Sequence, residues 1–334
     1  MQQQTPIDFR QARDFGGVMN VTYRFLRQNI KGLSKCLLYF AAPAVLLGSV
    51  FYHEIIDRTI RLSETSYNGS PFGADEYFTS VNFWISLLAA LVFMLIGGVL
   101  TVTTTHAYIL IYREKQGAPV DIGEVWKKSR SLFWKTFGAM FLYYMGMSMA
   151  LGLLMIPVGI LIFVTSMISP LLSGISMFLY YIAVFVLCIY FAMIFFICNK
   201  EGIGFFSGLS RLTKLTKGKF WSTVGLGAIN FYIQMVFSLL FVIPWYIFFF
   251  LYQLHDVFPG GAGATGSPGT LQETIEMVFF MVYWLASVLL SAMPLTALAI
   301  QYYSLSERLE ARGLLTRIEN FGQQLQVAGQ HEDY

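Results

Sequence analysis

The side chains able to do chemistry are few, and most stand at the ends of apolar runs. His53 and His255 close two such runs, each followed by an acid, Glu54 and Asp256, with Asp57 one helical turn beyond His53. Imidazole and carboxylate together suit a zinc-type ion if the two ends meet. His53, Asp57, His255 and Asp256 are therefore the metal candidates, weighed against a plainer reading as interfacial polar residues. A second candidate sits inside an apolar run, where Thr101, Thr103, Thr104, Thr105 and His106 crowd into TVTTTHAYIL. Thr104 and His106 suit either hydrogen bonds between helices or a substrate or proton path. Asn230 and Gln234, one turn apart, form a third, as packing glue or a small intramembrane polar site. The sequence holds no HExxH, ordered Ser-His-Asp or paired-cysteine pattern, so no catalytic residue, cofactor or resident metal is expected. Cys36, Cys188 and Cys198 all fall in apolar segments and read as packing residues, not as disulfides.

The elements that position these residues are hydrophobic. The chain is 56% hydrophobic and only 12% charged, against roughly 25% charged in a soluble domain. Thr136 to Asn199 contains no Asp, Glu, Lys or Arg, and about 20 residues cross a hydrocarbon core. That run holds two spans folded back near Met167–Ser176. Six spans are expected in all, about Ser34–Tyr52, Phe83–Tyr112, Thr136–Ser166, Leu171–Asn199, Phe220–Leu251 and Met277–Tyr303. Pro43, Pro157, Pro244 and Pro294 lie within them, where a missing N–H can kink a helix. Span interiors lack charged residues, which weighs against an ion pump or proton-coupled transporter. The polar start lacks the apolar core of a cleavable signal, so insertion is expected through the first span. Trp84, Trp245 and Tyr246 near outer ends, with Trp134 and Trp221 near inner ends, fit interfacial belts.

Twenty of the 22 Lys and Arg residues fall on one side of this plan, leaving Arg58 and Arg61 on the other. The positive-inside rule then places both termini in the cytoplasm. Many of those basic residues flank amphipathic stretches. In VDIGEVWKKSRSLFWKTF (Val120–Phe137), Ile122, Val125, Trp126, Ser129, Leu132, Phe133 and Phe137 share one helical stripe, with Asp121 as N-cap. Such a helix is expected to lie in the membrane interface and feed a span. A gapless counterpart, DFGGVMNVTYRFLRQNI, begins at Asp14, and a looser one, GFFSGLSRLTKLTKGKFW, at Gly204. Arg24, Arg27, Lys127, Lys128, Arg130, Lys214 and Lys217 on these stretches are the membrane-surface basic candidates, with anionic headgroups as partners. YREKQG at Tyr112–Gly117 and CNKEG at Cys198–Gly202 end two spans alike.

The expected fold is therefore an all-α membrane protein, one integral membrane domain over residues 1–334. Its six transmembrane helices make three repeats of an interfacial amphipathic helix plus two spans, about 9–117, 118–202 and 203–303. A cytoplasmic tail, 304–334, is expected to start with a final helix over Ser304–Phe321, and a short outer helix is expected near Glu54–Leu62. The Gly-rich run at Pro259–Thr270 reads as a linker without phosphate-binding chemistry.

The RDFGGVMNVTYRFLRQN start, the three-unit plan and the SERLEARGLLTRIENFG tail resemble a family of uncharacterised integral membrane proteins from Bacteroidota-type bacteria. The layout is also similar to the membrane domain attached to some bacterial glycerophosphodiester phosphodiesterases, whose catalytic barrel this sequence does not contain. The resemblance implies a bacterial inner-membrane location. The function expected is a non-enzymatic scaffold or accessory subunit of the bacterial inner membrane or envelope, with envelope proteins as partners and no nucleic acid. The rival is a transporter or flippase for an apolar or amphipathic solute.

Overall fold

The structure, a computed structural model, describes residues 7–9, 11–67, 74–257 and 270–311. These form helices and connecting turns, with no strand among the described residues. In chain order they are α1 (Phe15–Phe40), α2 (Ala42–Tyr67), α3 (Ala74–Thr79), α4 (Val81–Glu114) and α5 (Ile122–Ile168). Then come α6 (Pro170–Glu201), α7 (Phe205–Leu215), α8 (Phe220–Val257), α9 (Thr270–Leu290) and α10 (Ala292–Glu310). Five spans are long and apolar enough to cross a membrane, counting α9 and α10 together, and the bent α1–α2 pair makes a sixth if it is one span. The chain is accordingly a multi-pass, all-helical membrane protein.

Local chemistry sets the helix starts. Asp14 Oδ1 accepts from the Gly17 N–H at 3.0 Å, and Asp121 Oδ2 from Gly123 at 2.9 Å, each satisfying a donor the first turn leaves open. Proline sets two of the breaks. α1 and α2 bend by 56° at Ala41, with Pro43 in the first turn of α2. α9 and α10 part at Ser291, with Pro294 in the first turn of α10. A proline there cannot donate to the carbonyl four residues back, so the backbone is free to turn. Pro157 and Pro244 instead lie within unbroken α5 and α8.

Three expected elements differ from what forms. The amphipathic stretch Ile122–Phe137 is no separate helix but the start of α5, which is 47 residues without a break. At 1.5 Å per residue it is about 70 Å long, over twice a hydrocarbon core of about 30 Å. Its stripe packs on protein: Val125 and Ser129 are fully buried and sit against α4. The short helix expected near Glu54–Leu62 is a continuation of α2 to Tyr67, and Ser304 onward continues α10 to Glu310. Most of the expected tail helix and the Gly-rich run lie outside the described residues.

The bundle has two unlike halves. At the basic end, Thr101–Tyr112 of α4, Met193–Asn199 of α6 and Thr296–Leu305 of α10 are buried on every side. These segments pack on one another, and α1, the start of α5 and α7 wrap round them. Farther from that end, α2, α4, α5, α6, α8 and α9 form a ring in which each neighbouring pair touches. Small residues bring the helices close. A Cβ on Gly97 would stand 2.4 Å from Val45 Cγ2, and one on Gly227 would stand 2.4 Å from Ile189 Cγ2, so only glycine admits these approaches.

Candidate functional site

The ring of helices does not close on itself. It surrounds a cavity of about 510 Å³, within the roughly 300–1,000 Å³ of typical small-molecule sites. Met94 and Gly98 of α4, Met140 of α5, Phe185 and Cys188 of α6, and Phe231 and Gln234 of α8 line it. Trp284 and Ser287 of α9 complete the wall on one side, with Val45 just after the first helix break and Ser291 at the second. Among the described residues no Asp, Glu, Lys, Arg or His lines it. Phe185 and Phe231 approach edge to face at 5.4 Å where α6 meets α8. Trp284 packs edge-on to Tyr52 at 6.1 Å, and its buried indole N–H has no acceptor.

The packed core closes the basic side of this cavity, and small polar side chains stitch it together. Thr136 donates to Asn199 Oδ1 at 2.9 Å, and Asn199 Nδ2 donates to His106 Nδ1 at 3.0 Å. An accepting Nδ1 requires the imidazole proton on Nε2. His106 is 1% exposed and meets Phe196 edge to face at 5.0 Å. Ser129 donates to Thr103 at 2.9 Å and lies 3.5 Å from Thr104. Tyr108 donates to Asn29 at 3.2 Å, and Gln301 to Thr223 at 3.1 Å. A buried polar group without a partner is costly; the Asn199–His106 bond joins two core helices, and the others each join a surrounding helix to a core helix.

At the basic end Arg211 of α7 bonds Glu201 Oε1 through Nε at 2.9 Å and Glu310 through Nη2. Tyr302 adds a bond to Glu201 at 2.8 Å, so one cluster ties α6, α7 and α10. Burial alone would lower the Arg211 pKa, but the two carboxylates outweigh it and raise the value. A second cavity of about 630 Å³ at this end is lined by Phe9, Arg113, Glu114 and Lys200 among others.

The sequence candidates are dispersed. Thr104 and His106 belong to the packed core, and neither lines the 510 Å³ cavity. Asn230 is fully buried, donating to Leu226 O at 2.8 Å and facing Met19 Sδ at 3.2 Å, while its Oδ1 has no partner. Gln234 alone of the four reaches the cavity wall. His53 packs on Phe280 at 5.4 Å; the side chains of His255 and Asp256 lie outside the described residues. Among the described residues no three His, Cys, Asp or Glu side chains group as metal ligands. Arg24, Arg27, Lys127, Arg130, Lys214 and Lys217 are exposed, and Lys128 pairs with Glu114 at 3.5 Å. Sequence reasoning missed Trp284, Ser287 and Gly98. No family model, curated protein or solved structure matches the chain.

Proposed function

We propose that the protein is a non-enzymatic membrane protein that holds an apolar or amphipathic molecule of the bilayer between its helices. The observation that carries this reading is the charge-free cavity of about 510 Å³, ringed by six helices and floored by a packed core. The helices around it are apolar enough to lie in hydrocarbon, so the natural occupant is a lipid-like molecule. The bonded core beneath offers no charged path from cavity to basic end, which supports holding over ion passage. The basic end faces the cytoplasm by the positive-inside rule, where Arg24, Arg27, Lys127 and Arg130 meet anionic headgroups. The resemblance in sequence supports a place in a bacterial inner membrane, as an accessory or scaffold subunit.

The three-unit plan belongs to this reading, supported by three bonds: Asn29 with Tyr108 joins α1 to α4, Thr136 with Asn199 joins α5 to α6, and Thr223 with Gln301 joins α8 to α10. A flippase or transporter is the second reading, favoured by one observation. The break at Ser291 borders the cavity, and Val45, one turn after the break at Ala41, lines it too, as broken helices border transporter sites.

The test uses Gly98, whose added Cβ would meet nothing nearer than Met140 Cε at 3.7 Å. Gly98→Phe therefore fills the cavity without forcing the backbone. Native mass spectrometry of protein purified from its own membranes should find a retained apolar molecule in the wild type and its loss in Gly98→Phe. Equal retention by both proteins would overturn the reading.

A further inference from the structure

We infer that the occupant is an uncharged amphiphile, a long apolar body whose polar head is a carbonyl, ester or hydroxyl oxygen. This rests on the lipid-holding reading and narrows it. The first argument is the absence of charge: among the described residues no Asp, Glu, Lys, Arg or His lines the cavity. A phosphate or ammonium drawn inside would lose its hydration with nothing to pair it. The second argument is a surplus of hydrogen-bonding capacity in a wall that is otherwise apolar. The Gln234 side chain lines the cavity from α8, and its amide makes no hydrogen bond among the described residues.

A pure hydrocarbon would leave the Gln234 amide unanswered, whereas a neutral oxygen answers its N–H donors. Diacylglycerol-like and quinone-like molecules share this chemistry.

The test is photo-labelling of the full chain in phosphatidylcholine nanodiscs, with labelled residues mapped by mass spectrometry. Four diazirine probes are compared: a diacylglycerol, an isoprenoid quinone, phosphatidylglycerol and a plain hydrocarbon. Labelling of Met94, Met140 or Cys188 reports the cavity. The diacylglycerol or the quinone should label these residues about tenfold more than phosphatidylglycerol or the hydrocarbon does. Which of the two leads identifies the source of the oxygen. One hydrogen bond lost corresponds to roughly a two- to tenfold drop, so Gln234→Met should reduce the advantage by that factor while hydrocarbon labelling persists. Gln234→Leu should do the same, and it carries the test alone if Gln234→Met does not fold. Equal labelling by the neutral and hydrocarbon probes would overturn this inference and leave the lipid-holding reading intact. A preference for phosphatidylglycerol would also overturn it. No cavity labelling by any probe would overturn both.

Discussion

Asn199→Leu tests the floor of the cavity. The substitution removes one acceptor and one donor, breaking the bonds to Thr136 at 2.9 Å and His106 at 3.0 Å. Thr136 can turn its hydroxyl to the carbonyl one turn back, so that loss costs little. His106 Nδ1 has no such recourse, because the ring is 1% exposed and set edge-on against Phe196. An unpaired buried acceptor costs about 1–3 kcal/mol, while hydrogen bonds in bilayers average about 0.6 and reach about 1.7 kcal/mol. The expected destabilisation is about 1–3 kcal/mol, with the stranded imidazole as its main source. Adding His106→Leu removes that stranded acceptor, so the double variant should recover about 1 kcal/mol relative to the sum of the single changes. Unfolding in mixed micelles titrated with sodium dodecyl sulfate, followed by circular dichroism, reads all four proteins. Additive single changes, or an Asn199→Leu protein as stable as the wild type, would refute the argument.

Other expectations follow from the same geometry. Arg211→Met strands Glu201 beside Glu310, whose side chains are 22% and 18% exposed. The loss should be about 1–3 kcal/mol, discounted from the roughly 3–5 of a fully buried pair. Because the folded Arg211 pKa is raised above its ordinary value, its contribution is complete below that ordinary value and lost only as pH climbs through the raised one. The difference from Arg211→Met should therefore be the same at about pH 7 and about pH 10 in the same unfolding assay. Gly97→Ala and Gly227→Ala, whose new Cβ atoms would each stand 2.4 Å from a neighbour, should cost about 1–3 kcal/mol by overpacking. Gly146→Ala meets nothing within 4 Å and should match or exceed the wild type. In spheroplasts, an impermeant thiol reagent should label a cysteine placed at Thr79 and spare one at Lys217; the reverse would invert the orientation. Liposomes carrying the protein should pass neither protons nor potassium, and a flux abolished by His106→Ala would contradict a holding role.

The spans were legible because their signal is bulk: a run from Thr136 to Asn199 without a charge admits no soluble reading. The Thr-rich segment before His106 was legible as hydrogen-bonding material but not as the centre of the molecule. Burial on every side is a property of neighbours, and nothing in TVTTTHAYIL distinguishes a core helix from one facing lipid. The stripe through Val125 and Ser129 read as amphipathic, and so it is. Its apolar side meets α4 instead of headgroups, a choice that periodicity alone cannot make. The cavity was the least legible feature. Met94, Gly98 and Thr101 share one face of α4, as Gly227, Phe231 and Gln234 share one of α8, at ordinary helical spacing. In helices apolar all round, a face lining a void and a face meeting lipid have the same composition. Gln234 stood out only because an amide is rare in such company.

The most direct test of the account is a cryo-electron microscopy map of the protein in nanodiscs made from its own membrane lipids. The account predicts elongated density inside the ring of helices, reaching Gln234 and Trp284 and ending above the His106–Asn199 floor. An aqueous passage running past His106 to the basic end, or a ring collapsed onto itself with no density inside, would contradict it.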